Sequence, residues 1–577
     1  MDNKLFYGPP IARGMRKSTA SSLLAVVALA LVLRLSPLTR FVYFGSDVGE
    51  YFRISRGLIA TGHVALPYSG WGVTYPYFPG MFFLVSGVSF GGLELAGSLD
   101  LVVPALAALI PAIVFLLTVR VLHEDGAGLL AAAFVAVAMP HAFQTAHAIP
   151  ATVGELLVGA ILLLWLRLPH DRKTWALLIP ATLALVITHH LSTYFLIVML
   201  LIGLVVTSLL GAARGRGTRA RAAYLGFVVA TALAYWFGYA TTFRTSILTD
   251  VDVRPWWLPL AGFPVLVAAL AGLVLLRRRW SWRYRPRYPT ARRVALAYAV
   301  TIGAIYVLMI SAVATRIIGT TIRLSPDVLW YFLPFFALLA FSGAGRKHMD
   351  FARHGLESGG WFLGLVLSAA FGAVVASRVI IPYRHVEYMI VVLAIPVGSG
   401  FMRFVELGDL SRRRLASAGL AGVLVAGSAL SAFPPAGLLV NYEEGVRPAA
   451  LDAAYWAGRN VDGLLATDHR ASTLAFGFGG VAATWDTARL AITAPDFATA
   501  RSEMCRVDAP SGTARVDYVE IDQDLARGVQ MSPVDPALPL SDAARAKFAD
   551  PPYMKVFDSG FAQVYFVNWG VSGVPCP

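Results

Sequence analysis

Apolar stretches of about 20 residues recur along the chain between residues 18 and 433, and each is long enough to cross a bilayer as an α-helix. Such segments must satisfy their own backbone hydrogen bonds, because the hydrocarbon core of a membrane offers no polar partners. Hydrophobic residues make up 57% of the 577 residues and charged residues only 14%, a composition that excludes a soluble enzyme fold. The sequence therefore predicts a mainly α, polytopic helical membrane protein.

Basic residues around the predicted spans set the orientation of the chain. We predict about thirteen spans, with centres near residues 28, 109, 136, 160, 181, 203, 232, 267, 304, 337, 368, 394 and 423. The basic clusters lie at residues 13–17, 167–173, 214–221, 277–293, 346–347 and 412–414. With this count all of them fall on one side, which the positive-inside rule makes cytoplasmic. We therefore expect a multi-pass protein of the plasma membrane with its N-terminus in the cytoplasm and its C-terminus outside.

A shorter apolar segment, residues 80–96, interrupts this pattern. It is broken by glycines, and making it a span would place every later basic cluster outside. We interpret it as an interfacial or re-entrant helix in a first outer loop that covers about residues 39–97. Residues 1–433 then form one transmembrane domain.

The composition changes after residue 433, where acidic, polar and turn residues return. Residues 452–468 are typical of an amphipathic helix followed by a buried strand, and residues 516–522 and 554–568 are typical of strands. Residues 434–577 are therefore predicted to form a small extracytoplasmic α/β domain. Both cysteines of the chain, Cys505 and Cys576, lie in it. An even pair in an exported domain favours a disulfide, and two free thiols are the alternative.

The first outer loop carries four charged residues at helical spacing, Asp47, Glu50, Arg53 and Arg56. Residues three apart share one face of a helix, so these side chains would lie together if residues 46–59 are helical. A carboxylate near an acceptor hydroxyl or amine can act as a general base, and arginines present a planar set of donors suited to phosphate. A solvated helix beside the membrane would show the same pattern, and the residues alone leave both interpretations open.

Further polar residues gather at the predicted outer ends of the spans. Arginine on the outside runs against the topogenic bias, so several such residues on one face indicate an anion-binding site. Histidines at span ends more often bond to neighbouring helices than to a metal, and no HExxH or CxxC spacing supports a metal site. The residues are His141, His147, Glu155, His189, His190, Arg244, Arg254, Arg316, Arg323, Arg378, Arg384, His385 and Glu387.

The order of these features resembles the GT-C membrane glycosyltransferases. In the protein O-mannosyltransferase and aminoarabinose-transferase branch, the first loop carries an Asp-x-x-x-Tyr-x-x-x-x-Arg pattern, to which Asp47, Tyr51 and Arg56 are similar. Residues 382–398 are similar to a late family segment in which an arginine, here Arg384, opens a helix leading back into the membrane. The resemblance in architecture covers about the first 430 residues.

This resemblance implies a glycosyltransferase that takes a sugar from a polyprenyl phosphate at the outer face, with inversion. Asp47 would be the catalytic base, with Glu50 beside it, and Arg384 would hold the lipid phosphate together with Arg316 or Arg378. The substrate-binding set implied for this site is Tyr51, Arg53, Arg56, His189, His190, Arg316, Arg378, Arg384, His385 and Glu387.

One departure from the related oligosaccharyltransferases concerns metal. Their second-loop acidic pair and WWDYG motif are missing, and the nearest Trp-Asp pair stands in the sequence TWDT at residues 484–487. We therefore expect no cofactor, and a divalent metal is possible but not favoured.

The expected partners are a polyprenyl-phosphate-linked sugar donor, a protein, lipid or glycan acceptor, and the bilayer. The net charge of +14 is explained by topology and by anionic lipid headgroups, so we expect no nucleic acid partner. An oligosaccharyltransferase-like enzyme, a transporter or flippase for lipid-linked sugars, and a non-catalytic assembly protein are the alternatives. A transporter should carry ionisable or broken-helix features near mid-membrane, whereas here polar residues crowd the outer ends of the spans.

Overall fold

The computed structural model describes residues 16–168, 171–210, 216–249, 268–269, 272, 276, 290–317, 321–352, 354–375, 377–406, 412–509, 512–531, 535–571 and 576. Helices of eight or more residues in this part of the chain are α1 (Lys17–Leu35), α2 (Val48–Thr61), α3 (Gly80–Phe90), α4 (Ile110–Leu122), α5 (Asp125–Val137), α6 (Pro150–Trp165), α7 (Trp175–Thr188), α8 (His190–Leu210), α9 (Arg216–Leu233), α10 (Thr241–Thr249), α11 (Ala291–Ala314), α12 (Leu333–Met349), α13 (Gly355–Val375), α14 (His385–Glu406), α15 (Arg412–Leu430), α16 (Pro448–Asn460) and α17 (Phe497–Met504).

Shorter helical turns connect these elements. They are Ser36–Thr39, Tyr75–Tyr77, Leu95–Gly97, Ser98–Val102, Val103–Ala107, Met139–Gln144, Arg172–Thr174, Ala234–Tyr239, Val328–Tyr331, Ser377–Ile380, Pro382–Arg384, Ala436–Leu439, His469–Leu474, Ala475–Gly479, Arg489–Thr493, Asp524–Ala526, Asp542–Ala546 and Lys547–Ala549.

Seven helical stretches among the described residues are long and apolar enough to cross a membrane. They are Lys17–Thr39, Leu95–Leu122, His190–Leu210, Gly217–Tyr239, Ala291–Ala314, Gly355–Ala373 and Pro382–Val405. Every predicted span centre falls within or directly beside a helix, except the centre near residue 267, which lies outside the described residues. The chain is thus a multi-pass helical membrane protein, while the count of thirteen spans stays a prediction.

Helix α14 is anchored in the middle of the helical bundle. It packs against α5 and α12, and aromatic rings such as those of Phe341 and Phe401 meet edge to face at 5.2 Å in this core. Ile390, Val391 and Ala394 of α14 are buried there. Because this packing fixes the body of α14, it also fixes the N-terminus of the helix, which Arg384 directly precedes.

The first loop contains two packed helices. Helix α2 ends where Gly62 adopts a left-handed conformation with φ of 73°, the usual way in which glycine terminates a helix. Helix α3 lies within the predicted apolar segment 80–96, and its Met81 and Phe82 are buried against Tyr51 and Leu58 of α2. This apolar contact fixes α2, and with it the acidic residues at its N-terminus.

The C-terminal region contains a four-stranded mixed sheet. Its strands among the described residues are β3 (Leu464–Ala466), β6 (Val516–Asp522), β7 (Tyr553–Asp558) and β8 (Ala562–Val567), in the order β3-β6-β8-β7, while β1 (Tyr43–Phe44), β2 (Gly445–Val446), β4 (Val507–Ala509) and β5 (Gly512–Ala514) form two small antiparallel pairs. Strand β3 is parallel to β6, and the remaining pairs of the large sheet are antiparallel. A disulfide joins Cys505, which follows α17, to Cys576.

The orientation of the chain can be tested by labelling. Lys173 and Arg459 are both exposed, and we expect the first on the cytoplasmic side and the second outside. In intact cells a membrane-impermeant thiol reagent should label Arg459→Cys, whereas Lys173→Cys should react only after lysis. The native cysteines are paired, so the unsubstituted protein should remain unlabelled. Labelling of Lys173→Cys in intact cells would reverse the predicted topology.

Candidate active site

Asp47 precedes the first turn of α2, two residues after a turn at Gly45. Gly45 has a φ of 134°, a conformation that other residues rarely adopt. An aspartate at this position often caps the helix, but Asp47 makes no capping hydrogen bond. Its Oδ2 instead accepts hydrogen bonds from the hydroxyls of Tyr51 at 3.2 Å and Tyr75 at 3.4 Å. Both contacts are long for O–H···O bonds, so another hydroxyl could replace them.

The other oxygen of Asp47 contacts the C-terminal region. Its Oδ1 lies 2.8 Å from Nε2 of His469, and Nδ1 of the same ring lies 2.7 Å from Oδ1 of Asp486. Asp486 in turn accepts a hydrogen bond of 2.7 Å from the indole nitrogen of Trp71, which belongs to the first loop. A closed chain of polar contacts therefore joins the first loop to the C-terminal region through one imidazole.

The protonation of this chain follows from its charges. Burial alone would raise the pKa of Asp47, but the hydrogen bond and charge of His469, with smaller effects of Tyr51 and Arg384, lower it below its ordinary value. Burial would lower the pKa of His469, yet its hydrogen bonds to Asp47 and Asp486 and their charges raise it well above the usual range. Both shifts favour an imidazolium ion beside an ionised Asp47.

Backbone contacts bring these distant segments together. Strand β1 pairs with β2 in antiparallel register, Tyr43 opposite Val446. Gly49 in α2 touches the backbone so closely that a Cβ there would overlap the carbonyl oxygen of Thr473, and a Cβ at Gly477 would overlap the carbonyl oxygen of Gly49. Glycine at both positions permits this approach. The approach holds the turn that begins with His469 beside the N-terminus of α2.

Glu50 is fully buried and braces the first loop. Its Oε2 accepts a hydrogen bond of 2.6 Å from the Tyr68 hydroxyl, and its Oε1 accepts one of 3.0 Å from the backbone N–H of Trp71. Burial raises the pKa of Glu50, although both hydrogen bonds oppose the shift. Since both oxygens already have partners that fold the loop, Glu50 holds Trp71 in place rather than facing an open space.

The two arginines of α2 contact aromatic rings. The guanidinium of Arg53 lies 5.2 Å from the centre of the Phe476 ring in the C-terminal region, and that of Arg56 lies 5.5 Å from the Phe52 ring of its own helix. Such cation–π contacts are worth about 0.5–1 kcal/mol at exposed sites. In this structure Arg53 therefore helps to join α2 to the C-terminal region, and Arg56 is exposed on the surface.

Arg384 lies immediately before α14, close to the acidic site. Its guanidinium is 3.4 Å from Glu387 and 5.6 Å from the centre of the Tyr383 ring, and it interacts electrostatically with Asp47 and Tyr51. About a quarter of its side chain, 27%, is accessible, whereas Glu387 is nearly buried. The charge of Arg384 acts on Asp47 and lowers its pKa.

The three histidines of the predicted site make local contacts. Nδ1 of His189 lies 2.6 Å from the Ser192 hydroxyl, and Nε2 of His385 lies 2.8 Å from the Ser368 hydroxyl. The ring of His190 packs among aromatic side chains, 4.5 Å from the centre of the Phe243 ring. The His385 contact joins α14 to α13, and the His190 contact joins α8 to α10.

Two of the predicted phosphate ligands are not brought to the site by any described contact. The Arg316 side chain is exposed in the segment after α11. Arg378 belongs to the short helix Ser377–Ile380, but its side chain lies outside the described residues. Their proposed role in holding phosphate stays a prediction.

The site does not have the arrangement of a metal centre. The carboxylates of Asp47 and Asp486 contact opposite nitrogens of the same imidazole, so the three groups do not converge on one point. Throughout the described residues no group of three or more His, Cys, Asp or Glu side chains could hold a metal ion. The expectation that a divalent metal is not favoured stays a prediction.

Sequence reasoning did not assign His469, Asp486, Trp71 or Tyr75 to the site. The TWDT sequence at residues 484–487, which departs from the WWDYG motif, supplies Asp486. A usable signal was the position of the polar run Thr467 to Arg470 directly after the buried strand β3, since polar residues at the ends of strands often form sites.

Comparison with solved structures identifies the fold of the chain. No model of a known protein family matches the sequence, and no curated protein sequence matches it. An oligosaccharyltransferase of Archaeoglobus fulgidus, solved with a tethered acceptor peptide containing the NVT sequon, has a TM-score of 0.56 at 15% identity, over 96% of this chain and 74% of that one. The same enzyme with Zn and sulfate gives 0.55 at 14% identity, over 94% and 73%.

ArnT from Cupriavidus metallidurans, bound to undecaprenyl phosphate, aligns less well. Its TM-score is 0.47 at 14% identity, over 95% of this chain and 98% of that one. The likeness to the archaeal oligosaccharyltransferase, which extends over nearly the whole chain, carries the assignment. Helical bundle, first loop and C-terminal region together have the GT-C fold of membrane glycosyltransferases.

Proposed function

We propose that this protein is a membrane glycosyltransferase that moves a sugar from a polyprenyl-phosphate donor to an acceptor at the outer face of the plasma membrane, with Asp47 as general base. The observation that carries the proposal is the Asp47 carboxylate itself. It lies where the first loop meets the C-terminal region, with the positive charges of His469 and Arg384 near it. The GT-C fold supports the same reading, because this fold occurs in enzymes of that class.

The proposed reaction is one displacement at the anomeric carbon. The acceptor hydroxyl or amine gives its proton to Asp47 as its oxygen or nitrogen bonds to the anomeric carbon, and the bond from that carbon to the phosphate oxygen breaks. The electron pair leaves with the polyprenyl phosphate, so the configuration is inverted. We infer that the acceptor hydroxyl binds at Oδ2 of Asp47, where the contacts from Tyr51 and Tyr75 are long. A positioned base typically contributes about 10²–10⁴-fold in rate.

Arg384 is the residue that we assign to the leaving phosphate. A guanidinium offers planar paired donors that match phosphate oxygens, and it stabilises the charge that develops as the bond breaks. Its accessible face and its position at the head of α14 suit a donor whose lipid tail stays in the bilayer while the phosphate lies at the interface. Tyr51, in contact with Asp47 and electrostatically coupled to Arg384, would lie between the two substrates.

A second candidate is an oligosaccharyltransferase-like activity with a peptide acceptor. The fold similarity to the archaeal enzyme favours it, since that structure holds an acceptor peptide and matches 96% of this chain. Against it stands the sequence, which lacks the second-loop acidic pair and the WWDYG motif of those enzymes. A peptide containing an NVT sequon therefore belongs among the acceptors to be tested.

The proposed function can be tested with purified protein and a panel of polyprenyl-phosphate sugars. We expect at least one donor to raise the thermal midpoint, because a ligand that binds only the folded state stabilises it. The same donor should lose its sugar in the presence of protein, lipid or glycan acceptors and release polyprenyl phosphate. If no donor of the panel binds or turns over, the proposal is wrong, and transfer only from pyrophosphate-linked donors to the peptide would favour the second candidate.

A further inference from the structure

His469 is the closest partner of Asp47 in the described structure, and it comes from the C-terminal region. The ring is 12% exposed, both of its nitrogens contact carboxylates at 2.7–2.8 Å, and the edge of Trp71 meets it at 4.6 Å. The backbone N–H of His469 also donates a hydrogen bond of 2.8 Å to the carbonyl of Gln530. Both ring nitrogens and the backbone N–H of His469 therefore have close partners. The hydrogen bonds from the two tyrosines to Asp47 are longer, at 3.2 and 3.4 Å.

We propose that His469 is a positioning residue, which fixes the Asp47 carboxylate in the orientation that receives the acceptor's proton and is itself held in place by Asp486. This inference rests on the proposed function, since it assigns a role in sugar transfer. The C-terminal region is then part of the catalytic centre, because it supplies His469. This residue contacts Asp47 although the two lie more than 400 positions apart in sequence.

His469 holds Asp47 but does not act as a base itself. An imidazole with protons on both nitrogens has no free lone pair, so it cannot accept a proton from the acceptor. Two carboxylates keep it in this state, and its pKa is accordingly raised against the opposing effect of burial. Because Oδ1 of Asp47 is engaged by His469, Oδ2 is the oxygen left to face the acceptor.

The charges around this pair come from several parts of the chain. Asp47 also interacts with groups of the first loop, of the segment before α6 and of the segment before α14, namely Glu50, Tyr51, Tyr75, His147 and Arg384. Besides its two carboxylate partners, His469 interacts with Glu50. Among the described groups His469 is the cation in direct contact with Asp47. Its loss leaves burial, which raises the pKa of Asp47, opposed by the Tyr51 hydrogen bond and by the more distant Arg384.

The decisive experiment is the pH profile of transfer by His469→Gln. Glutamine can still donate a hydrogen bond but carries no charge. In wild type the acid limb reports protonation of Asp47 and should lie low, because the pKa of Asp47 is lowered. In the variant that limb should move up by about 1–3 pH units, the usual effect of removing an opposite charge in contact with a carboxylate. A residue with a merely structural role would lower the rate without moving the limb.

Two variants control this experiment. His63→Gln removes an exposed histidine of the first loop whose ring nitrogen hydrogen-bonds to the backbone of Thr61, so the acid limb of this variant should coincide with that of wild type. Asp486→Asn leaves His469 in place but removes the carboxylate that favours a proton on Nδ1 of the imidazole. The acid limb of this variant should therefore shift by less than that of His469→Gln. An active wild type whose acid limb is unchanged in both His469→Gln and Asp486→Asn overturns the proposal.

A measurement that needs no activity separates this inference from the proposed function. Nitrogen NMR of ¹⁵N-histidine-labelled protein, with the His469 signal assigned by its loss in His469→Gln, should show an imidazolium at pH 8 in wild type. A neutral imidazole at that pH would refute the charge arrangement, whatever the activity. An imidazolium together with no transfer from any donor would refute the proposed function, and with it the catalytic role of His469.

Discussion

Replacing Asp47 with asparagine should lower sugar transfer by about 10²–10⁴-fold, the usual contribution of a general base. Asparagine keeps the shape of the side chain and can still contact Tyr51 and His469, but it cannot accept a proton. Donor affinity should stay close to that of wild type, because Arg384 and not Asp47 is assigned to the phosphate. The measurement is initial rate against donor concentration, with donor binding determined separately by thermal stabilisation.

Glu50→Gln is the matched comparison, since it makes the same change three residues further along α2. Glu50 holds Tyr68 and the backbone of Trp71, contacts that a glutamine oxygen can partly keep, so its effect on the rate should be clearly smaller. Near-normal turnover in Asp47→Asn with an inactive Glu50→Gln would move the base to Glu50. Full transfer activity in both variants would show that neither Asp47 nor Glu50 is the base and would place the base elsewhere in the chain.

The second large effect is expected at Arg384. Arg384→Ala should weaken donor binding by about 10–100-fold, since hydrogen bonds to charged groups contribute about 1.5–3 kcal/mol. Arg384→Lys should weaken it less, because lysine keeps the charge and loses only the paired donor geometry. Donor dissociation constants measured on the three proteins test the order wild type, lysine, alanine.

Removal of Arg384 alone leaves Glu387 nearly buried without its partner, which could lower stability for an unrelated reason. The double variant Arg384→Ala with Glu387→Gln avoids this charge and should bind donor as weakly as the single alanine variant. Arg459→Ala, an exposed arginine of the C-terminal region, serves as a charge control and should bind as wild type does. Equal affinity in wild type and Arg384→Ala would place the phosphate elsewhere, with Arg316 the next residue to test.

The sequence was most informative about residues that lie on a single helix, because helical spacing is a local pattern. The spacing of Asp47, Glu50, Arg53 and Arg56 is that of one helix face, and α2 begins directly after Asp47. The same spacing suggested that Arg53 and Arg56 join the carboxylates at one site. Their guanidinium groups instead contact the rings of Phe476 and Phe52. Helical periodicity fixes which residues share a face, but the partner of that face depends on tertiary packing.

The missing half of the site could not be derived from local pattern. His469 and Asp486 reach Asp47 only because β1 pairs with β2 and because Gly49 and Gly477 allow two backbones to touch. Neither contact leaves a periodic signal in the sequence, since each joins segments about 400 residues apart. Apolar length, by contrast, is a local property, and the predicted span centres within the described residues fall in or beside helices for that reason.

The central claim is that the sugar leaves its lipid at a site built around Asp47. The most direct measurement uses proteoliposomes with a polyprenyl-phosphate donor whose sugar is labelled, and follows both the label and the free polyprenyl phosphate. We expect the label to move to the acceptor with release of an equal amount of polyprenyl phosphate in wild type, and neither change in Asp47→Asn. Label that remains on the lipid but crosses between leaflets, equally in both proteins, would contradict the account and indicate a flippase.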